Sequence, residues 1–362
     1  MAVATAPSPS QIPWLGTVSH SHSTPATVEI PQRLNTISDL LSYQAKHIPD
    51  APIIAYPGSD YGSSDFVEYT AKQLDQFADL VAHGLTKAGL RPSVCKLSPS
   101  TRLLNGTNLS QKAESEKAEV VALLGPSNFE YIIALLAISR MGFSVFFLST
   151  RLPTEAYTSL LESTQCTRIV YSSKCTAALA NIQQNYALQS FSMPDKSSWI
   201  QPSTPVAKFH PQTKLAHETD TVAFIVHSSG STGLPKPIYQ THRQCLSNYA
   251  VGSGMCAFVT LPLFHNHGLA TTFRGIMAGK RTTIYNANLP LTNGHLVAAM
   301  TQTSFDSFHC VPYALKVLAE TDDGVAQLAK AKLVLFGGSS CPDELGDLLV
   351  ENGVNLVSHY GA

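Results

Sequence analysis

Apolar positions along this chain repeat with two different periods, and the alternation between them lays out most of the elements. From about Glu68 the stretch Tyr69-Thr-Ala-Lys-Gln-Leu-Asp-Gln-Phe-Ala-Asp-Leu-Val-Ala-His-Gly-Leu85 places apolar residues at helical spacing, which predicts an amphipathic helix closed by Gly89 as its C′ residue. Residues 90–118 are polar, hold two prolines and show no sustained period, so they are expected to form a surface insertion. Continuous runs of Val, Ile, Leu and Phe then alternate with helical patterns. Strands are predicted near 119–125, 143–148, 167–171, 221–228, 257–263, 281–285, 305–311, 332–336 and 355–359. The helical patterns between them fall at 128–141, 154–163, 242–251, 269–277, 294–301, 313–320, 324–331 and 342–351. Fully apolar strands separated by helices indicate an α/β fold of doubly wound, mostly parallel sheets. Residues 174–218, Gln/Ser/Pro-rich in their second half, are expected to connect two subdomains.

Composition narrows the class. A chain of 362 residues that is 44% hydrophobic can bury a substantial core. The formal charge of -1 and the lack of a basic cluster argue against nucleic acid as a partner. Seven cysteines without C-x-x-C spacing fit reduced thiols in a cytoplasmic protein. Residues 1–36 carry neither a secretion signal nor a transit pattern and are expected to be a disordered leader. The longest apolar stretch, Tyr131 to Phe147, is too short and mixed to span a membrane.

The chemistry centres on His227-Ser228-Ser229-Gly230-Ser231-Thr232-Gly233-Leu234-Pro235-Lys236-Pro237, which follows a predicted parallel strand. Gly230 and Gly233 would let the backbone approach a polyanion, while N–H groups and the hydroxyls of Ser228, Ser229, Ser231 and Thr232 donate and Lys236 adds charge. Taken alone, the run fits a polar turn equally well. Other phosphate signatures fail. Gly275-Ile-Met-Ala-Gly279-Lys280-Arg281 is one residue short of a P-loop and has Arg where the metal-binding hydroxyl belongs. Gly252-Ser-Gly254-Met-Cys-Ala257 follows a helix and precedes a strand, the reverse of a dinucleotide-binding turn. No G-x-S-x-G elbow of a serine hydrolase occurs.

The order of segments resembles the adenylate-forming (AMP-binding) superfamily of acyl- and aryl-CoA ligases, luciferases and peptide-synthetase adenylation domains. Ser228 to Lys236 is similar to its phosphate-binding signature, Thr241-His242 to the Thr-His that follows, and Pro262-Leu-Phe-His265-Asn-His-Gly268 to its P-L-F-H-x-x-G segment. Phe336-Gly337-Gly338-Ser339-Ser340 resembles the turn that packs on adenine, and Tyr360-Gly361 the start of Y-G-x-T-E. Tyr69-Thr70 with Leu74, and Ile138 to Phe143, fit two early core motifs. The stretch Phe143 to Pro153 looks most like fungal synthetase-like adenylate-forming reductases.

The resemblance implies activation of a carboxylic acid by ATP and Mg²⁺, with an acyl-adenylate and pyrophosphate as products. It implies that Ser231, Thr232 and Lys236 hold the β- and γ-phosphates and that His265 sits between the carboxylate and the α-phosphate. Gly337, Gly338, Ser339 and Ser340 would line adenine, with Gly361 beside them, while Tyr360 stacks on the base or stays in the core. His265, His309 and Tyr313 would line the acid, and His242, Asn266 and His267 would position loops or pack. Phe264-His265 stands where amino-acid-selecting domains carry Asp, so an aryl or alkyl acid is expected.

Two departures qualify this. Pro237 replaces the usual glycine after the lysine, fixing φ and removing a donor. The sequence also stops at Ala362, before the family's Thr-Glu pair with its magnesium carboxylate, the ribose-binding Asp, the hinge and the small C-terminal domain with its lysine. Residues 37–362 are thus expected to be an incomplete adenylation domain, slow or inactive alone, that works with a phosphopantetheinyl carrier domain or a separate C-terminal polypeptide. A fragment of an acyl- or aryl-CoA ligase, or a non-catalytic interaction remnant, are the competing expectations.

Overall fold

A computed structural model describes residues 34–92, 118–201, 206–211, 218–228 and 233–360. Two sheets carry the fold. The first is built from β1 (Pro52–Pro57), β2 (Phe66–Thr70), β9 (Ala257–Val259), β10 (Thr282–Ile284), β11 (Ser307–Cys310), β12 (Leu333–Gly337) and β13 (Leu356–His359), in the order β13-β12-β11-β9-β10-β1-β2. The second holds β3 (Val120–Leu124), β4 (Ser144–Leu148), β5 (Arg168–Tyr171), β6 (Gln189–Ser192), β7 (Val222–His227) and β8 (Pro237–Thr241), in the order β6-β5-β3-β4-β7-β8. Within both sheets neighbours pair in parallel except at one margin, where β1 meets β2 and β7 meets β8 antiparallel. The apolar runs therefore form the expected doubly wound, mostly parallel α/β architecture.

The helices are α1 (Ile37–His47), α2 (Ala71–Lys87), α3 (Phe129–Arg140), α4 (Thr154–Thr164), α5 (Thr176–Gln183), α6 (His242–Ala250), α7 (Asn266–Ala278), α8 (Asn293–Gln302), α9 (Pro312–Leu318), α10 (Asp322–Ala329) and α11 (Asp343–Glu351). The helix expected from Glu68 starts later, because Glu68 to Thr70 belong to β2. Thr70 ends that strand and caps the helix: its hydroxyl accepts from the Gln73 N–H while the Gln73 side chain accepts from the Thr70 N–H. At the other end Gly89 adopts φ +100°, and the Leu90 N–H reaches back to the Leu85 carbonyl, as a C′ glycine does. Helix α7 begins three residues before the apolar pattern at Leu269, and this places His265 at its N-cap.

Strands β1, β6 and β8 were not evident in the pattern. Within 174–218 the structure places α5 and β6, and β6 extends the second sheet beside β5. Residues 93–117 of the polar insertion and 1–33 of the leader lie outside the described residues.

Helix α3 is buried around nearly its whole circumference, and it ends on Arg140. That guanidinium forms ion pairs with Asp75 and Asp79 of α2, the second at 2.8 Å. Lys208 adds a cation to Asp75, and the Phe209 N–H donates to Asp79 Oδ1, so residues 206–211 are held against the same helices.

Candidate functional site

The glycine- and serine-rich run joins the antiparallel strands β7 and β8. At its base the Ser228 N–H donates to the Lys236 carbonyl at 3.0 Å, and the Lys236 N–H donates to Ser228 Oγ at 3.0 Å. Ser229, Gly230, Ser231 and Thr232 lie outside the described residues, whereas Gly233 and Lys236 are exposed. Pro237 stands opposite His227 in the ladder. Since the adjacent Ser228/Lys236 pair carries the inter-strand bond, alternation along an antiparallel ladder turns the Pro237 nitrogen away from β7. The donor that this proline lacks is therefore not needed there.

His227, the last residue of β7, received no role from the sequence. Its Nε2 accepts from the Ser149 N–H at 3.2 Å, which leaves the proton on Nδ1 to donate to the Ser228 carbonyl at 3.0 Å. The available signal was a polar residue closing the apolar run Val222 to Val226. The ring of His227 lies 6.4 Å from that of His265. His265 is open to solvent, yet the protein packed around it, then His227 and Arg151, lower its pKa below the usual histidine value.

Helix α7 supplies residues to both sheets. Gln240 of β8 donates through Nε2 to Asn266 Oδ1 at 2.9 Å, tying the helix start to the loop's second strand. On the other side His267 meets His309 of β11, with His267 Nε2 3.4 Å from His309 Nδ1. Gly268 permits this close seat, since a Cβ there would lie 2.6 Å from the Pro262 carbonyl oxygen. The Leu263 N–H also donates to Ser127 Oγ at 2.8 Å, anchoring the segment before the helix to the start of α3.

Beyond β12 the turn runs through Gly337, which is buried, and Gly338, Ser339 and Ser340, which are exposed. Gly338 has φ +90°, a value that favours glycine. Tyr360 is 93% exposed, so the alternative that places it in the core is corrected. Tyr313 is also exposed, at the start of α9, whereas His309 is buried. His242 is buried: its Nδ1 accepts from the Ile37 N–H at 3.1 Å, and burial lowers its pKa to about 4.

Thus the structure draws Ser228, Lys236, His227 and His265 together at one side of the first turn of α7. His267, His309 and Gly337 gather at the other side. Among the described residues no group of three or more His, Cys, Asp or Glu side chains is arranged to hold a metal, and no helix is long and apolar enough to cross a membrane.

Residues 109–362 match the family model of the AMP-binding enzymes. The chain is 30% identical over 255 residues to the adenylate-forming reductase stbB of Stachybotrys bisbyi, a match covering 67% of this chain and 24% of that protein. It is 26% identical over 360 residues to an adenylate-forming reductase of Aspergillus terreus, covering 92% of this chain and 32% of the relative. It spans about a quarter to a third of the length of these relatives. Among solved structures, the N-terminal domain of FACL13 from Mycobacterium tuberculosis superposes with a TM-score of 0.69 at 18% identity, covering 91% of this chain and 76% of that one.

Proposed function

The chain belongs to the AMP-binding enzyme family, and from that premise we propose that it activates a carboxylic acid as the acyl-adenylate. A carboxylate oxygen attacks the α-phosphorus of ATP, the bond from the α-phosphorus to the bridging oxygen breaks, and pyrophosphate leaves with that oxygen. The observation that supports this best is the first turn of α7, which sets His265 beside the base of the glycine- and serine-rich loop while His267 reaches the ends of β11 and β12.

Each residue has a physical task in this reading. Lys236 is exposed at the end of the loop, where its ammonium would meet the β- and γ-phosphates with the hydroxyls of Ser231 and Thr232. Neutral His265 retains one N–H to donate between the carboxylate and the α-phosphate oxygens, so the two charged groups approach with less repulsion. Gly338 and Ser339 offer backbone groups to adenine, and the open ring of Tyr360 is available to stack on the base. His309 and Tyr313 belong to the acid side. Magnesium would accompany the triphosphate and offset its charge. The acyl group would pass to a carrier thiol, as the likeness to fungal adenylate-forming reductases suggests.

Acid-dependent exchange of labelled pyrophosphate into ATP tests the reading, with a panel of aryl and alkyl acids. Exchange that falls at least about tenfold in His265→Ala and in Lys236→Ala is the expected result. Binding of neither ATP nor an acyl-adenylate analogue would overturn it and favour a non-catalytic interaction role.

A further inference from the structure

Arg151 lies just beyond β4, and the chemistry derived above gives it no task beyond its effect on His265. In the second sheet β7 runs between β4 and β8. Arg151 stands three residues past the end of β4, and Lys236 directly precedes β8, so the two cations flank the end of β7 from opposite sides. The register agrees: Phe146 pairs with Ile225 in parallel, which brings the chain beyond Leu148 alongside the chain that leaves β7.

Three hydrogen bonds hold the turn that carries Arg151. The Ser149 N–H donates to His227 Nε2 at 3.2 Å, the hydroxyl of buried Tyr157 donates to the Ser149 carbonyl at 2.7 Å, and the Arg151 N–H donates to Ser149 Oγ at 3.3 Å. Arg151 itself is exposed, and it lines a crevice of about 140 Å³ with Ser127, Thr150, Pro262 and Phe264. The ring of Phe264 lies 4.8 Å from that of His265, so the crevice adjoins His265.

Charge sets this arginine apart. Arg140, Arg168, Arg243 and Arg281 each face a carboxylate. Arg151 has no ion pair, and its guanidinium no hydrogen-bond partner, among the described residues. Its charge does reach the site: burial, then His227, then Arg151 lower the His265 pKa. The start of α7 adds to the same field, because His265 caps that helix without a side-chain hydrogen bond and leaves the first-turn N–H groups unused by it. Two cations and a helix N-terminus therefore surround one place with the sign that suits a polyanion.

We propose that Arg151 is a phosphate-contacting residue that grips the pyrophosphate portion of ATP from the β4 side, opposite Lys236. The inference rests on the acyl-adenylate reading. As the carboxylate oxygen bonds to the α-phosphorus, the bond from that phosphorus to the bridging oxygen breaks, and its electron pair leaves on pyrophosphate. A guanidinium presents parallel N–H donors to two phosphate oxygens, so Arg151 meets the charge that develops there, while Lys236 meets it as a point charge. AMP lacks this portion, so Arg151 acts on ATP and not on AMP.

Calorimetric titration of the full chain with ATP and with AMP, each with magnesium, tests it. Arg151→Gln is expected to weaken ATP binding by about tenfold to a hundredfold, the scale of a hydrogen bond to a charged group. AMP should bind the same variant as it binds the parent chain, which also shows that the variant is folded. Arg151→Lys should recover part of the ATP affinity, since it keeps the charge and loses the fork. An ATP affinity that survives Arg151→Gln, or a loss shared equally by AMP in both variants, would overturn the inference and leave the acyl-adenylate reading standing. Failure of the parent chain to bind either nucleotide would overturn that reading and the inference with it.

Discussion

The Ser149 N–H donates to Nε2 of His227 at 3.2 Å, joining the end of β4 to the end of β7 where the glycine- and serine-rich loop begins. The same ring donates through Nδ1 to the Ser228 carbonyl, so one buried imidazole fixes both the strand end and the first loop residue. The loop leaves the sheet from a fixed point.

His227→Phe removes that point while keeping a ring of similar size. The Ser149 N–H loses its partner, and stability is expected to fall by about 1–3 kcal/mol. Urea unfolding measures the loss. Nucleotide titration is expected to show weaker ATP binding in the same variant, and unchanged affinity would count against a loop-anchoring role.

Arg140 is nearly closed from solvent and faces Asp75 and Asp79. Arg140→Met leaves two carboxylates on α2 with Lys208 as their remaining ion-pair partner among the described residues, and it should cost about 3–5 kcal/mol. Replacing Arg140, Asp75 and Asp79 together by apolar residues should recover much of that loss in urea unfolding, since the uncompensated charge disappears as well.

Gly268→Ala tests the seat of α7. The new Cβ would fall 2.6 Å from the Pro262 carbonyl oxygen and 2.8 Å from that of Leu261, both of them backbone atoms. The helix start must shift and carry His265 with it. Pyrophosphate exchange is expected to drop by about tenfold or more, with a stability cost of roughly 1–3 kcal/mol in urea unfolding.

Acid should destabilise the fold before its carboxylates titrate. His242 and His309 are buried, with folded pKa values lowered to about 4 and about 3 from 6.5. Below pH 6.5 the unfolded chain binds protons that the folded chain refuses. Their contribution is fully present above that pH and is lost as pH falls toward the folded values, on the order of 1 kcal/mol per pH unit for each histidine. Urea unfolding across pH 7 to 5 measures the slope, and His242→Gln, whose amide can still accept from the Ile37 N–H, should flatten it.

Much of the parallel framework was legible because strands buried on both faces carry continuous apolar runs. Strand β8 was hidden for the opposite reason: Pro-Ile-Tyr-Gln-Thr is short, marginal and half-exposed, so it has neither a run nor a clear alternation. Strand β2 merged into α2 because Thr70 ends one element and caps the next. The site followed the same division. Lys236, His265, Gly337 and Gly338 stand in linear segments that resemble family motifs, and local order is enough to make them candidates. His227 and the meeting of His267 with His309 and His359 depend on contacts between strands far apart in sequence, which no local pattern encodes.

The first turn of α7 also constrains how two ligands communicate. In the proposed reading His265 stands on the phosphate side while its neighbour His267 touches His309 on the acid side, so an acid that shifts this turn would change the hold on nucleotide, and nucleotide the hold on acid. Linkage requires the two effects to be equal in free energy. Whatever factor a preferred acid adds to ATP affinity, ATP must add to the affinity for that acid, so discrimination among acids is a property of the ternary complex.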